Sequence, residues 1–194
     1  MPPMTPEGQK RREAEAAKRF GRADGPEDRR LQERCITYGS PQLTAGYQSY
    51  YQILQTPTEV AFLTEMIHDV RVIHLEARPH IPPAIRGWLG DSRGRWEGGT
   101  LLVDTSNYKP SAFMSISSEQ LHVTERFSRV DAETLKYEVT INDPATWMKP
   151  WSYTMLWKRL SKPVYEYACH EGNIGLAGIL SGARADDRAE NHQK

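Results

Sequence analysis

A run of strict alternation between residues 120 and 142 limits what this chain can fold into more than any other feature. Leu121, Val123 and Phe127 share one side of an extended segment, and Leu135, Tyr137, Val139 and Ile141 share one side of the next. The turn Asp131-Ala132-Glu133 separates them. Side chains alternate across a strand with a period of two, so residues 120–130 and 134–142 are predicted to form a hairpin with one buried face. Thr134, Lys136, Glu138 and Thr140 make the solvent face of the second strand.

The same period recurs at 50–55, 59–66, 70–75 and 96–106, the last divided by Gly98-Gly99. It recurs again at 151–160 and 164–169, around the turn Ser161-Lys162-Pro163. His68 and Asp69 reverse the chain between the second and third strands. Short turns with no helices between strands imply an all-β antiparallel meander. Eight or nine such strands close or stack to protect their edges. Successive hairpins favour a lipocalin-like barrel over a Greek-key sandwich. Residues 77–95, rich in proline and glycine, form a long irregular connection, a common place for function.

In front of this domain (35–182) lies a charged arm and linker, 1–34. Thr5 suits an N-cap, Pro6 the first helical position and Glu7 the positive helix end, so 5–22 reads as a helix. It is polar all round and expected to be mobile or docked on a partner, which suggests a homo-oligomer formed through the arm. The tail, 183–194, is expected to be disordered.

Lys+Arg and Asp+Glu are balanced at 25 each, so no basic excess points to nucleic acid or an anionic membrane surface. No apolar run reaches the length of a membrane span, and Met1-Pro2-Pro3-Met4 opens no signal peptide. Cys35 and Cys169 either bridge the ends of the domain or remain two buried thiols; CxxC spacing is absent.

Alternation places Glu125 on the face of Leu121, Val123 and Phe127, near Tyr137. A buried carboxylate needs a partner or a shifted pKa. A structural ion pair with an arginine, or a hydrogen bond to Tyr137, would satisfy it without any catalysis. Glu65 shares a face with Ala61 and Leu63, at the rim or inward, and His68 follows at the reversal. Asp104 and His122 point to the opposite face. The six histidines, His68, His74, His80, His122, His170 and His192, show no local metal spacing, and no metal or cofactor is expected. His68 and His80 would converge if loop 77–95 folded over the barrel mouth. Ser92 lacks a nucleophile-elbow context, and neither a P-loop nor a dinucleotide fingerprint occurs.

General acid–base chemistry therefore remains, with Glu125, Tyr137, His68 and Glu65 as candidate groups. Arg71, Arg78 or Arg126 would hold an anionic substrate group. His80, Trp88, Trp96 and Trp151 would line the cavity, although plain core and loop packing is the better account of at least half of the tryptophans. The expected function is a small-molecule lyase, isomerase or hydrolase. Its rivals are a carrier for an apolar or aromatic ligand and an assembly protein docking through its arm.

Several stretches together resemble a family. They are Tyr51-Gln52-Ile53-Leu54-Gln55-Thr56-Pro57, Glu65-Met66-Ile67-His68, Arg78-Pro79-His80, Trp88-Leu89-Gly90-Asp91-Ser92, Gly94-Arg95-Trp96-Glu97-Gly98, Leu121-His122-Val123-Thr124-Glu125-Arg126, Asp143-Pro144 and Tyr165-Glu166-Tyr167-Ala168-Cys169. Over residues 34–182 the chain resembles a large, mostly uncharacterised family of exported, β-rich bacterial proteins. The resemblance implies a periplasmic or secreted setting, and with it a Cys35–Cys169 disulfide. It implies no particular reaction. Gly99 stands where that family usually carries an aspartate, a turn position that glycine fills easily.

Overall fold

The computed structural model describes residues 1–41 and 49–191; His192 lies outside them. Eight strands form one curled sheet, a half-barrel, in sequence order. They are β1 (Tyr51–Gln55), β2 (Glu59–Thr64), β3 (Val70–His74), β4 (Asp91–Glu97), β5 (Thr100–Ser106), β6 (His122–Arg129), β7 (Thr134–Asn142) and β8 (Trp151–Lys158). The hairpin predicted at 120–142 is present, with Val123 opposite Ile141 and Phe127 opposite Tyr137. Gly98, at φ +58°, turns β4 into β5 where a side chain would be strained.

The expected meander needs two corrections. First, β3 and β4 pair in parallel, Ile73 beside Ser92 and His74 beside Arg93. A parallel pair needs a crossover, and residues 75–90 supply it. This connection is shorter than predicted because β4 begins at Asp91. Second, the sheet curls without closing: among the described residues no ladder joins β1 to β8. Side chains meet across that gap instead, with Tyr51 stacked on Trp157 at 4.7 Å between ring centroids.

The concave face holds the core, including Phe62, Ile73, Val103, Val123, Phe127, Tyr137, Val139 and Ile141. Aromatic pairs dominate it: Phe127 stacks on Tyr137 at 4.7 Å and Phe62 lies 5.0 Å from Phe127. Each such pair adds about 0.5–1.5 kcal/mol to the area it buries. On β2 the inward set is Val60, Phe62 and Thr64, not Ala61 and Leu63 as expected. Both sets are largely apolar, so alternation there was ambiguous, and the bulkier Phe62 takes the core. Glu65 falls after the strand, buried at the start of the 3₁₀ turn Met66–His68.

Residues 164–169 form no strand. Cys169 is bonded to Cys35, and the Asn173 amide donates to the Glu33 carbonyl at 2.8 Å. These ties carry the segment to the N-terminal linker rather than along β8. The disulfide suits an oxidising, extracytoplasmic environment. Helix α2 (Ile174–Asn191) follows, over a stretch where composition predicted loss of order from residue 183.

The arm is helix α1 (Pro6–Phe20), capped as predicted by the Thr5 hydroxyl accepting from the Gly8 N–H at 2.9 Å. It is neither free nor dependent on another chain for its contacts. The Thr5 N–H donates to the Thr146 carbonyl at 3.0 Å, and Arg11 donates to the Ile116 and Ala145 carbonyls at 2.9 and 2.8 Å. A Cβ at Gly8 would lie 2.3 Å from the Thr146 carbonyl oxygen, so this position tolerates only glycine at such close approach. The docking is polar, which is why no apolar helical stripe announced it.

Candidate functional site

The interior of the half-barrel is not wholly apolar. Arg71 of β3 and Glu125 of β6 point inward and form a two-pronged ion pair: Nη1 reaches Oε1 at 2.9 Å and Nη2 bonds Oε2. Glu125 is fully buried. The other Arg71 donors reach Ser92 Oγ (3.0 Å), Ser40 Oγ (2.9 Å) and Thr105 Oγ1 (2.8 Å). A guanidinium has five N–H donors in a fixed fork, and here each has an acceptor. Burial opposes the charge on Arg71, but the Glu125 carboxylate more than offsets it, so its pKa is raised.

Tyr137 of β7 donates to Glu125 Oε1 at 2.5 Å, and the Tyr153 ring of β8 packs edge-on against Tyr137 with 6.4 Å between centroids. Burial, reinforced by the Glu125 charge, pushes the pKa values of Tyr51, Tyr137 and Tyr153 upward. Burial raises Tyr108 as well. Its hydroxyl sits near Thr105 and Ser40, yet among the described residues it has no partner in hydrogen-bonding geometry. A cavity of about 30 Å³ borders this centre, walled by Ser40, Tyr51, Asp69, Arg71, Glu125 and Tyr137. That is room for a water molecule or two, each needing roughly 10–15 Å³ of such space, not for a substrate. Asp69, which accepts from the Thr37 hydroxyl (2.6 Å) and the Tyr38 N–H (3.0 Å), has a raised pKa because burial outweighs those bonds.

Next to it opens a much larger cleft of about 1060 Å³, between β1 and β8. Tyr51, Phe62, Phe127 and Trp157 border both spaces. They form the cleft's aromatic floor, while Ile53, Trp96, Leu135 and Leu156 add apolar wall. Ile53, Trp96 and Leu156 are exposed. Gly99, at the β4–β5 turn, also lines this cleft.

A second polar network lies on the convex face. His80 Nδ1 meets Asp91 Oδ2 at 2.7 Å and its Nε2 meets Asp104 Oδ1 at 2.8 Å. His122 Nε2 meets Asp104 Oδ2 at 2.7 Å, and Arg93 grips Asp91 with two bonds of 2.9 and 3.1 Å. Hydrogen bonding to Asp104 raises the His122 pKa and, reciprocally, holds Asp104 low. Burial works against the Asp91 charge, but His80, the Ile81 N–H and Arg93 together hold its pKa down. Among the described residues, no group of three or more His, Cys, Asp or Glu side chains is arranged to hold a metal ion.

The residues singled out from the sequence thus fall in different places. Glu125, Tyr137 and Arg71 come together, as partners of one another. His68 is exposed at the β2–β3 turn and Glu65 is buried outside the strand; neither lines the cavity beside Glu125 or the large cleft. His80 joins the convex network and does not meet His68 over a barrel mouth. Arg78 is paired with Glu76 in the crossover (3.4 Å). Arg126 points outward, opposite Glu138. Trp88 packs partly against the core under the Lys109 ammonium, Trp96 stands on the cleft wall, and Trp151 joins the aromatic core beside Trp147.

The sequence reading missed Tyr51, Tyr153, Thr105 and the floor of the cleft. An inward carboxylate calls for an inward cation, and that rule pointed to a search among the arginines. On β3, however, Val70 and Val72 look like the core face, and they are the exposed ones. No helix of the described residues is long and apolar enough to cross a membrane. No protein-family model matches this chain, no curated protein matches it, and no solved structure matches it.

Proposed function

We propose that the chain is a binding domain for an apolar or aromatic small molecule, held in the cleft between β1 and β8. The observation that carries this reading is the cleft itself, about 1060 Å³ with a floor of Tyr51, Phe62, Phe127 and Trp157. Ligand sites are concave, mostly apolar and lined by aromatic side chains, with volumes of roughly 300–1,000 Å³. Up-and-down sheets that curl around a ligand are the lipocalin-like solution to this task, and the present sheet shares that strand order apart from its β3–β4 crossover. The disulfide and the family resemblance favour a periplasmic or secreted carrier.

The test is titration with N-phenyl-1-naphthylamine, a neutral fluorescent apolar probe. Saturable one-to-one binding with quenching of tryptophan emission is expected. Ile53→Glu, an exposed cleft position, is expected to abolish it without disturbing the fold. Binding that is non-saturable, or indifferent to that substitution, overturns the reading.

Acid–base catalysis at Glu125 is the second reading. It is favoured by the short Tyr137 hydrogen bond to the buried Glu125 carboxylate, and His68 and Glu65 would have to move to join it. It is the weaker because the carboxylate already spends both oxygens on Arg71 and the adjoining space admits only water. Turnover of a true substrate that survives Glu125→Gln would sink it. Assembly through the arm ranks third, since Thr5 and Arg11 already dock α1 on its own domain.

A further inference from the structure

The cleft is not electrically neutral although the chain is. Four cationic side chains, Arg129, Lys158, Arg159 and Lys162, line it against one carboxylate, Glu133. Arg159 is paired with that carboxylate at 3.5 Å. Lys158 donates to the Thr134 hydroxyl at 2.6 Å and Arg129 to the Ala132 carbonyl at 3.2 Å. These partners are neutral, so among the described residues Arg129, Lys158 and Lys162 have no ion pair. Asp131 stands at the same turn and feels Lys158, but it is fully exposed and its oxygens serve the turn's own Glu133 and Thr134. Even with Asp131 counted, the mouth keeps a positive excess.

The cations are also segregated. All four sit where β6 ends, where β8 ends, or just after it. Phe127 and Trp157 of the aromatic floor precede Arg129 and Lys158 on β6 and β8, on the side of Tyr137 and the sealed Arg71–Glu125 pair, and Tyr51 and Phe62 join them from β1 and β2. The cleft is thus apolar inside and cationic at one end. Low-dielectric walls beside the charges strengthen their attraction for an anion relative to open water.

We infer that the ligand is an amphipathic anion: an apolar or aromatic body on the Tyr51–Phe62–Phe127–Trp157 floor, and one carboxylate or comparable acid group at Arg129, Lys158 and Lys162. This rests on the binding function proposed above. A long-chain fatty acid and an aromatic carboxylic acid share this chemistry. A neutral hydrocarbon-like ligand leaves the three cations without an anionic partner.

The test compares two probes with one aromatic scaffold, N-phenyl-1-naphthylamine and 8-anilino-1-naphthalenesulfonate, which differ in the anionic group. The full chain is titrated with each at low ionic strength and again in 0.5 M salt, on the order of a 4 Å screening length. The sulfonate is expected to bind about five- to tenfold more tightly, the preference shrinking in salt. Arg129→Gln with Lys162→Gln is expected to remove the preference and leave the neutral probe unaffected. Near-ultraviolet circular dichroism checks that this variant is folded, and the salt titration of the unmodified chain tests the idea without any variant. Equal or weaker binding of the sulfonate overturns the anion inference while the binding function stands. Failure of both probes to bind overturns the binding function itself. Preference for the sulfonate that salt does not reduce also overturns the role assigned to the cations.

Discussion

The two polar networks sit on opposite faces of the same strands, one residue apart. Glu125 pairs across the sheet with Val103, and the next position along β5, Asp104, pairs with Thr124. Glu125 is 0 % exposed, whereas Asp104 is 36 % exposed. That single step between faces changes the physics. On the concave side the network is shut off from bulk solvent, so the carboxylate, the guanidinium and the tyrosines must largely satisfy one another, and losing a partner leaves a stranded polar group. On the convex side solvent screens the His80–Asp104–His122 contacts, and a lost partner is replaced by water. The concave network should therefore behave as a rigid unit and the convex one as a titratable clasp holding the crossover to the sheet.

The largest contrast is expected from Arg71→Met. It leaves Glu125 buried without a counter-charge, and the cost is about 3–5 kcal/mol in denaturant unfolding. Adding Glu125→Leu should restore much of that loss, since an apolar pair often replaces a buried ion pair without penalty. A cost near that of a surface substitution for Arg71→Met would show that the interior is wetter than described. Tyr137→Phe comes next. It deletes a hydrogen bond to a charged group, worth about 1.5–3 kcal/mol, and calorimetry should register it as a lowered Tm.

Alkali separates the faces further. Tyr51, Tyr108, Tyr137 and Tyr153 have pKa values raised above the usual 10.0. Their stabilisation is complete below pH 10 and is lost as pH rises past it, because only the unfolded chain ionises there. Absorbance at the phenolate band should show these four titrating together with unfolding, not before it.

The smallest effects belong to the convex face. The raised His122 pKa contributes stability that is complete below about pH 6.5 and is lost as pH rises through its folded value. The lowered Asp91 and Asp104 values contribute above about pH 3.8 and are lost as pH falls through theirs. The clasp is thus strongest between those limits. Asp104→Asn should cost about 1 kcal/mol or less. It should also return the His122 titration, followed by nuclear magnetic resonance, toward 6.5. A loss as large as that from Arg71→Met would erase the distinction between the faces.

Much of this was legible before any coordinates. A period of two at 120–142 is a local property, and hairpins are local structures, so strands β5 to β8 were readable within a few residues. The inward placement of Glu125, the outward placement of Asp104 and His122, and the cap at Thr5 follow from the same local geometry. Residues 164–169 misled because their alternation was real while the chain beyond them was tethered elsewhere by the disulfide. On β2 and β3 the apolar residues occupied both faces, so alternation carried no sign, and Arg71 was assigned to a substrate rather than to Glu125.

What the sequence determined by itself, then, is most of the strands, the hairpin at 120–142 and which side of β6 carries a carboxylate. These depend on backbone periodicity and turn chemistry within about twenty residues. Only the tertiary structure decided that β3 lies parallel to β4 and that the sheet stops at a half-barrel. It alone decided that Arg71, 54 residues from Glu125, is the group that neutralises it, and that the unclosed edge becomes an aromatic cleft with a cationic end. The reason is physical: partners far apart in sequence are chosen by the curl of the sheet and by the cost of leaving charge unpaired inside it. Neither is a property of any one segment.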